Sequence, residues 1–142
     1  MTMTTTEQAE AARRAIQNYY AAFNAGDGAG MLALVSDDIE HHVNQGDVRR
    51  GRVMFADFCA HMGVSYREEL RDIVIFVSED GSRGAAEFVV HGEYLKTDPG
   101  LPEAHGQRYV LPAGTFFALS NGKIDRVTTY YNLQDWIEQV SK

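Results

Sequence analysis

The stretch "EHHVNQG", residues 40–46, gathers side chains suited to moving a proton near neutrality. An unperturbed imidazole titrates near pH 6.5, so His41 and His42 are candidate general bases. Asn44 adds an amide that can meet a substrate oxygen. A second stretch, "AAEFVVHGEY" at 85–94, carries Glu87, His91 and Glu93. A carboxylate within a long strand is costly unless it is paired or faces a wet cavity. In such a cavity, burial raises its pKa and makes it a usable acid or base.

Both stretches read as β-strands, in which alternate residues share a face. Ile39, His41 and Val43 project one way; Glu40, His42 and Asn44 project the other. The apolar pair flanking His41 argues that its set packs inward. In the second stretch Glu87, Val89, His91 and Glu93 share one face, and Ala86, Phe88, Val90 and Tyr94 the other. Alternation alone does not say which face meets a pocket.

The elements that would position these residues follow from periodicity and caps. A first helix is expected with Thr6 as N-cap and Glu7 and Glu10 at its positive end. Ala12, Ile16, Tyr19, Tyr20 and Phe23 recur at helical spacing, and Gly26 suits the C′ position. Asp27 caps a short second helix, "GAGMLALV". After the 40–46 strand, "GDVRRG" reads as a loop. Residues 52–62 read as a third helix, with Val53, Phe55 or Ala56, Cys59 and Met62 on one face.

Four long strands follow, in "SYREELRDIVIFVSED", "RGAAEFVVHGEYLK", "QRYVLPAGTFFALS" and "KIDRVTTYYN". Asn121-Gly122 is a strong hairpin signal between the last two. "LQDWIEQVSK" closes the chain as a short helix or tail. Helices gathered against an antiparallel sheet define an α+β fold. A curved sheet wrapped by three helices leaves a concave, partly apolar pocket, the default ligand site. The loop "DPGLPEAHG", 98–106, falls at its mouth, where Leu101 can cover a ligand.

Composition narrows the partners. The chain has 142 residues, enough for one domain over 7–142 after a short lead-in at 1–6. A formal net charge of -7 disfavours nucleic acid and anionic membranes, which need a basic face. Cys59 is the single cysteine, so no intramolecular disulfide forms, and its apolar neighbours mark it as a buried small hydrophobe. No apolar run approaches 18 residues and no signal-peptide pattern opens the chain, so a cytoplasmic protein is expected. His41 and His42 point to opposite faces, and no zinc, phosphate-loop or dinucleotide motif occurs, so no metal or cofactor is expected.

The residues "YYAAFNAGDGAGMLALVSDDIEHHV", Gly51-Arg52 with Phe55, "GEYLKTDPGLPEAHGQRYVLPAGTFF" and "NGKIDRVTTYYNLQDW" resemble the nuclear-transport-factor-2-like superfamily. Within it, the ketosteroid-isomerase-related proteins and SnoaL-like polyketide cyclases are the most similar, over residues 10 to 138. The resemblance implies a cone-shaped curved sheet with a deep pocket, in a homodimer. Its members include isomerases, cyclases, epoxide hydrolases, dehydratases and non-catalytic binders.

Aligned with ketosteroid isomerase, Tyr19 falls at the donor tyrosine. The base falls at Val43 and the second donor at Gly114, where that mechanism requires aspartates. Aligned with limonene epoxide hydrolase, His42 and Asn44 match a water-positioning pair, which argues for their face as the inner one. His91 and Glu93 replace its Arg-x-Asp pair, and its base falls at Thr129. Phe23, Phe55, Phe116 and Tyr131 join Glu93 and Thr129 as expected ligand contacts.

Two functions follow. One is a cofactor-free isomerase, cyclase or hydrolase that moves protons on a largely apolar ketone- or epoxide-like small molecule. Glu87, His41, His42 or His91 would shuttle the proton, with Tyr19 and Asn44 stabilising negative charge. The other is a non-catalytic ligand-binding or interaction domain of the same fold.

Overall fold

In the computed structural model, which describes residues 4–142, the chain opens with helix α1, Thr5–Asn24. Its N-cap is Thr4, whose hydroxyl accepts the Glu7 amide at 3.1 Å, two residues before the expected Thr6. Any of the three consecutive threonines can cap. Thr4 prevails and sets Glu7 three residues on, the Thr-x-x-Glu spacing of a helix start. The helix therefore begins inside the expected lead-in, of which residues 1–3 lie outside the described part. α1 buries Ala12, Ile16, Tyr19 and Tyr20. Past its C-cap Ala25, Gly26 takes the C′ position with a φ of 70°, which suits a residue without Cβ.

Asp27 then caps α2, Gly28–Leu32, through a 2.9 Å bond from the Gly30 amide. Strand β1 spans Val35–Val43 and β2 covers Arg49–Arg50. The expected loop at "GDVRRG" thus contains a short strand: Arg50 faces Glu40 and Arg49 faces His41 across the antiparallel pair. Helix α3, Gly51–Ser65, is anchored by Arg52, which donates to the carbonyls of Leu32 and Val35 at 2.9 Å each. Its inward stripe is Phe55, Cys59 and Met62, whereas Val53 is 76% exposed. Val53 lies two residues from Phe55, and that rotation takes it off the stripe.

Strands β3 (Tyr66–Val77), β4 (Arg83–Tyr94), β5 (Gln107–Ser120) and β6 (Lys123–Tyr131) follow, then helix α4, Leu133–Val140. The β5–β6 turn has positive φ at both Asn121 (51°) and Gly122 (75°), the primed geometry that matches strand twist. The six strands form one curved, open sheet in the order β2-β1-β6-β5-β4-β3. All pairings are antiparallel except β1 with β6.

A bulge between Arg71 and Val74, with Asp72 at φ 57°, bends β3 toward the helices. Beside it the Asn24 side chain clasps Leu70, accepting its amide at 2.8 Å and donating to its carbonyl at 3.0 Å. This α+β arrangement leaves a cavity of about 680 Å³ between the concave face and α1–α3. Ile39, Phe88, Phe117, Ile124 and Val127 pack on the inner face. No described helix is long and apolar enough to cross a membrane.

Candidate active site

Three carboxyl groups line the cavity: Asp27 at the start of α2, Glu68 and Asp98. Glu68 lies on β3, in register with Gly92 of β4 and, through it, with Tyr109 of β5. The Tyr109 hydroxyl donates to Glu68 Oε2 at 2.5 Å. A Cβ at position 92 would come within 2.3 Å of Tyr109 Cζ, so glycine is what lets the ring lie across β4. Burial pushes the Glu68 carboxyl above its ordinary value, while the Tyr109 hydrogen bond pulls it back. Burial and the neighbouring carboxylate raise the Tyr109 hydroxyl, so it stays protonated as a donor.

The third carboxyl, Asp98, sits in the loop between β4 and β5. Its Oδ2 accepts from the Tyr66 hydroxyl at 2.7 Å and lies 3.1 Å from His61 Nε2. The loop is pinned by Tyr94, which accepts the Asp98 amide at 2.8 Å and donates to the Pro102 carbonyl at 2.7 Å. Tyr94 stacks on Tyr66 with ring centres 5.4 Å apart and meets Trp136 of α4 edge-on at 4.9 Å. Between Glu68 and Asp98 lies Tyr131. Burial raises its pKa, and Glu68 and Asp98 raise it further. Its hydroxyl has no protein acceptor among the described residues, so it is a free donor in the cavity.

A polar floor lies deeper. Thr115 and Thr129 share a hydrogen bond at 3.2 Å, and Tyr19 and Tyr20 pack beside them against Phe117. Burial raises the Tyr19 hydroxyl well above its ordinary value, so it too stays protonated. At the β1 edge His41 is 4% exposed, its ring 4.4 Å from Phe58 and 5.5 Å from Phe55. Burial, with Arg49 and His42 nearby, lowers its pKa to about 4, so it is neutral at pH 7. Its Nδ1 has no partner among the described residues.

Of the residues named from sequence, Tyr19, His41, Phe23, Phe55, Thr129 and Tyr131 line the cavity, and so does Leu101 of the mouth loop. The remaining catalytic and contact candidates do not. Glu87, His91 and Glu93 lie on the outer face of β4, because Ala86, Phe88, Val90 and Tyr94 form the more apolar row and take the inner one. Glu87 is exposed there. Phe116 is 53% exposed on the same face of β5, beside Tyr130. His42 also points outward, with Glu40 as its nearest carboxylate at 3.8 Å. Asn44 does not meet the cavity either. Just past β1 at φ 50°, it uses its Oδ1 to accept the Tyr131 amide at 2.8 Å, a clasp between β1 and β6.

Sequence reasoning missed Glu68, Tyr109, Asp98, Tyr66 and His61. Glu68 shares its strand face with Tyr66 and Leu70, and that alternation was the available signal.

The geometry is shared with known proteins. A family model described as a SnoaL-like domain matches residues 16–127. A candidate polyketide cyclase from Silicibacter sp. is 58% identical with a TM-score of 0.91, covering 94% of this chain and 97% of that one. Another, from Xanthomonas campestris, is 53% identical with a TM-score of 0.89 over 94% and 98%. An NTF2-like protein from Burkholderia xenovorans shares the fold at 14% identity, with a TM-score of 0.74 over 93% and 97%. No curated protein matches the chain. A curved, open sheet over a deep cavity, matched across most of its length by these structures, identifies the chain as a member of the SnoaL-like family within the NTF2-like fold.

Proposed function

We propose that the protein is a cofactor-free acid–base enzyme that closes or isomerises a largely apolar, ketone-bearing molecule. The supporting observation is the Glu68 carboxyl, raised by burial and held by Tyr109 in the cavity wall. A carboxylate in that state is a stronger base than one in water. Glu68 takes a proton from the carbon beside a ketone, and the C–H electron pair becomes an enolate. The free Tyr131 hydroxyl donates to the developing oxyanion. In ring closure the enolate carbon attacks a second carbonyl of the same molecule, and the new alkoxide takes a proton back. Nothing is oxidised or reduced. The names of the similar structures, which speak of polyketide cyclases, accord with this chemistry for those proteins.

The test is proton exchange. Incubated in D2O with 2-tetralone, the wild-type protein should speed deuterium entry at the α-carbon, and Glu68→Gln should lose roughly 10²-fold or more of that rate. Binding of the ketone without acceleration would favour the ligand-binding alternative.

We also propose that a second copy of the chain covers the outer face. Val74, Phe76, Val110 and Phe116 are 45–53% exposed on adjoining strands there. Sedimentation should show a dimer that Phe116→Glu dissociates. A wild-type monomer at high micromolar concentration would refute it.

A further inference from the structure

The cavity has a cationic end that the proton-transfer reading leaves unused. Arg49 lines it on β2, the edge strand opposite β3, where Glu68 sits. Its cross-strand partner is His41, on the same face, and both side chains pack on Phe58. The Arg49 guanidinium carbon lies 4.4 Å from that ring's centre, and the imidazole centre is at the same distance.

Neighbouring arginines are satisfied by the protein. Arg50 pairs with Glu40 on the outer face, and Arg52 donates to two carbonyls. Arg49 alone of the three has no hydrogen-bond acceptor or carboxylate partner among the described residues. Arg49 also borders a second, more open depression with Met54, Asp57, Phe58 and His61, where Asp57 forms no ion pair with it.

A guanidinium stacked on an aromatic ring keeps its in-plane N–H fork free, and that fork matches a carboxylate. The beside-lying His41 is neutral at pH 7 and does not compete for an anion. The chain is acidic overall, at -7, so a general positive field does not explain an unpaired cation facing a cavity.

We infer that the ligand is an organic acid, whose carboxylate is held by the Arg49 fork against the Phe58–His41 wall while its ketone reaches Glu68 at the other edge of the sheet. This rests on the proton-transfer reading for the ketone end only. A cavity of about 680 Å³ suits such an elongated molecule of fused-ring size. The carboxylate lies at the end remote from the chemistry, so it orients the substrate and fixes which carbon meets the base.

The test uses two unreactive probes of the same shape, 2-naphthoate and 2-acetonaphthone, titrated calorimetrically into the full chain. Wild type should prefer the acid by roughly tenfold or more, and the preference should shrink with added salt. Arg49→Gln should erase the preference by weakening 2-naphthoate far more than 2-acetonaphthone. Arg49→Lys, which keeps charge but loses the fork, should restore part of it. Glu68→Gln should keep the preference whole, so this result stands or falls apart from the exchange experiment. Equal affinity for both probes in wild type, or a preference that survives Arg49→Gln in a folded variant, would overturn the proposal. Failure of both probes to bind wild type would also overturn it, because the cavity would then take no such molecule.

Discussion

Tyr109 reaches Glu68 across a strand that has no side chain at the crossing point. Glu68, Gly92 and Tyr109 occupy one row on β3, β4 and β5, and the phenol spans the middle strand to close a 2.5 Å hydrogen bond. The position of this carboxyl is thus set by an absence in its neighbour. Gly92→Ala should force the ring aside, because the new Cβ would lie 2.3 Å from Cζ. The expected cost is about 1–3 kcal/mol of stability in urea unfolding, with a loss of exchange activity larger than the stability loss explains.

Tyr109→Phe separates the two influences on Glu68. Burial raises the carboxyl and the phenol's hydrogen bond lowers it. Removing the hydroxyl leaves burial unopposed, so Glu68 should titrate higher still. The rising limb of the exchange rate against pH should move to higher pH than in wild type. An unmoved or lowered limb would show that Glu68 is not the group being titrated.

Glu68 also links pH to stability. Its folded pKa exceeds its unfolded value, so the native state holds a proton that the unfolded chain has released. The contribution of Glu68 is complete below the unfolded carboxyl range and is lost as pH rises through the folded value. Glu68→Gln keeps an acceptor for Tyr109 and removes this loss. Urea midpoints at pH 4 and pH 7.5 should show the variant gaining on wild type at the higher pH.

His41 acts in the opposite direction. Its pKa falls from 6.5 to about 4 on folding, so the unfolded chain binds the proton first as acid is added. Stability from the neutral ring is present above pH 6.5 and is lost as pH falls toward 4. The linkage is of order 3 kcal/mol. Wild type should therefore lose more stability than His41→Gln between pH 7.5 and pH 4, measured by urea unfolding.

Tyr94 should govern access. Its hydroxyl ties the Asp98 amide to the Pro102 carbonyl across the loop at the cavity mouth. Tyr94→Phe removes both bonds. Trypsin cleavage after Lys96, an exposed residue of that loop, should quicken by roughly tenfold, while the far-ultraviolet circular dichroism stays unchanged.

Much of this architecture was readable in the chain. Asn121-Gly122 announced the last hairpin and Asp27 the short second helix, whereas the face of the 40–46 strand stayed open between His41 and the His42–Asn44 pair until the structure put His41 inside. The candidate site was harder. "YREELR" crowds Arg67, Glu68, Glu69 and Arg71 into one strand, and such density reads as a solvated surface. Only alternation with Tyr66 and Leu70 separates the inward Glu68 from its outward neighbours. Asp98 was hidden for another reason: its position depends on a loop tied down by Tyr94, a contact that no local pattern encodes. Glu87 and His91 drew attention by chemical type, yet the aromatic weight of Phe88 and Tyr94 decided the face. Arg49 was lost with the two-residue strand that aims it, since pairing with β1 is a long-range event.

The bulge at Asp72 has an engineering corollary. Arg49 and Glu68 stand on the two rims of the open sheet, and the span between rims depends on how sharply the last strand folds inward. Deleting the one extra backbone position there would flatten that rim and widen the gap, without changing the identity of any lining side chain. Selectivity for longer or shorter molecules can then be dialled through main-chain length, with no substitution of a group that touches them.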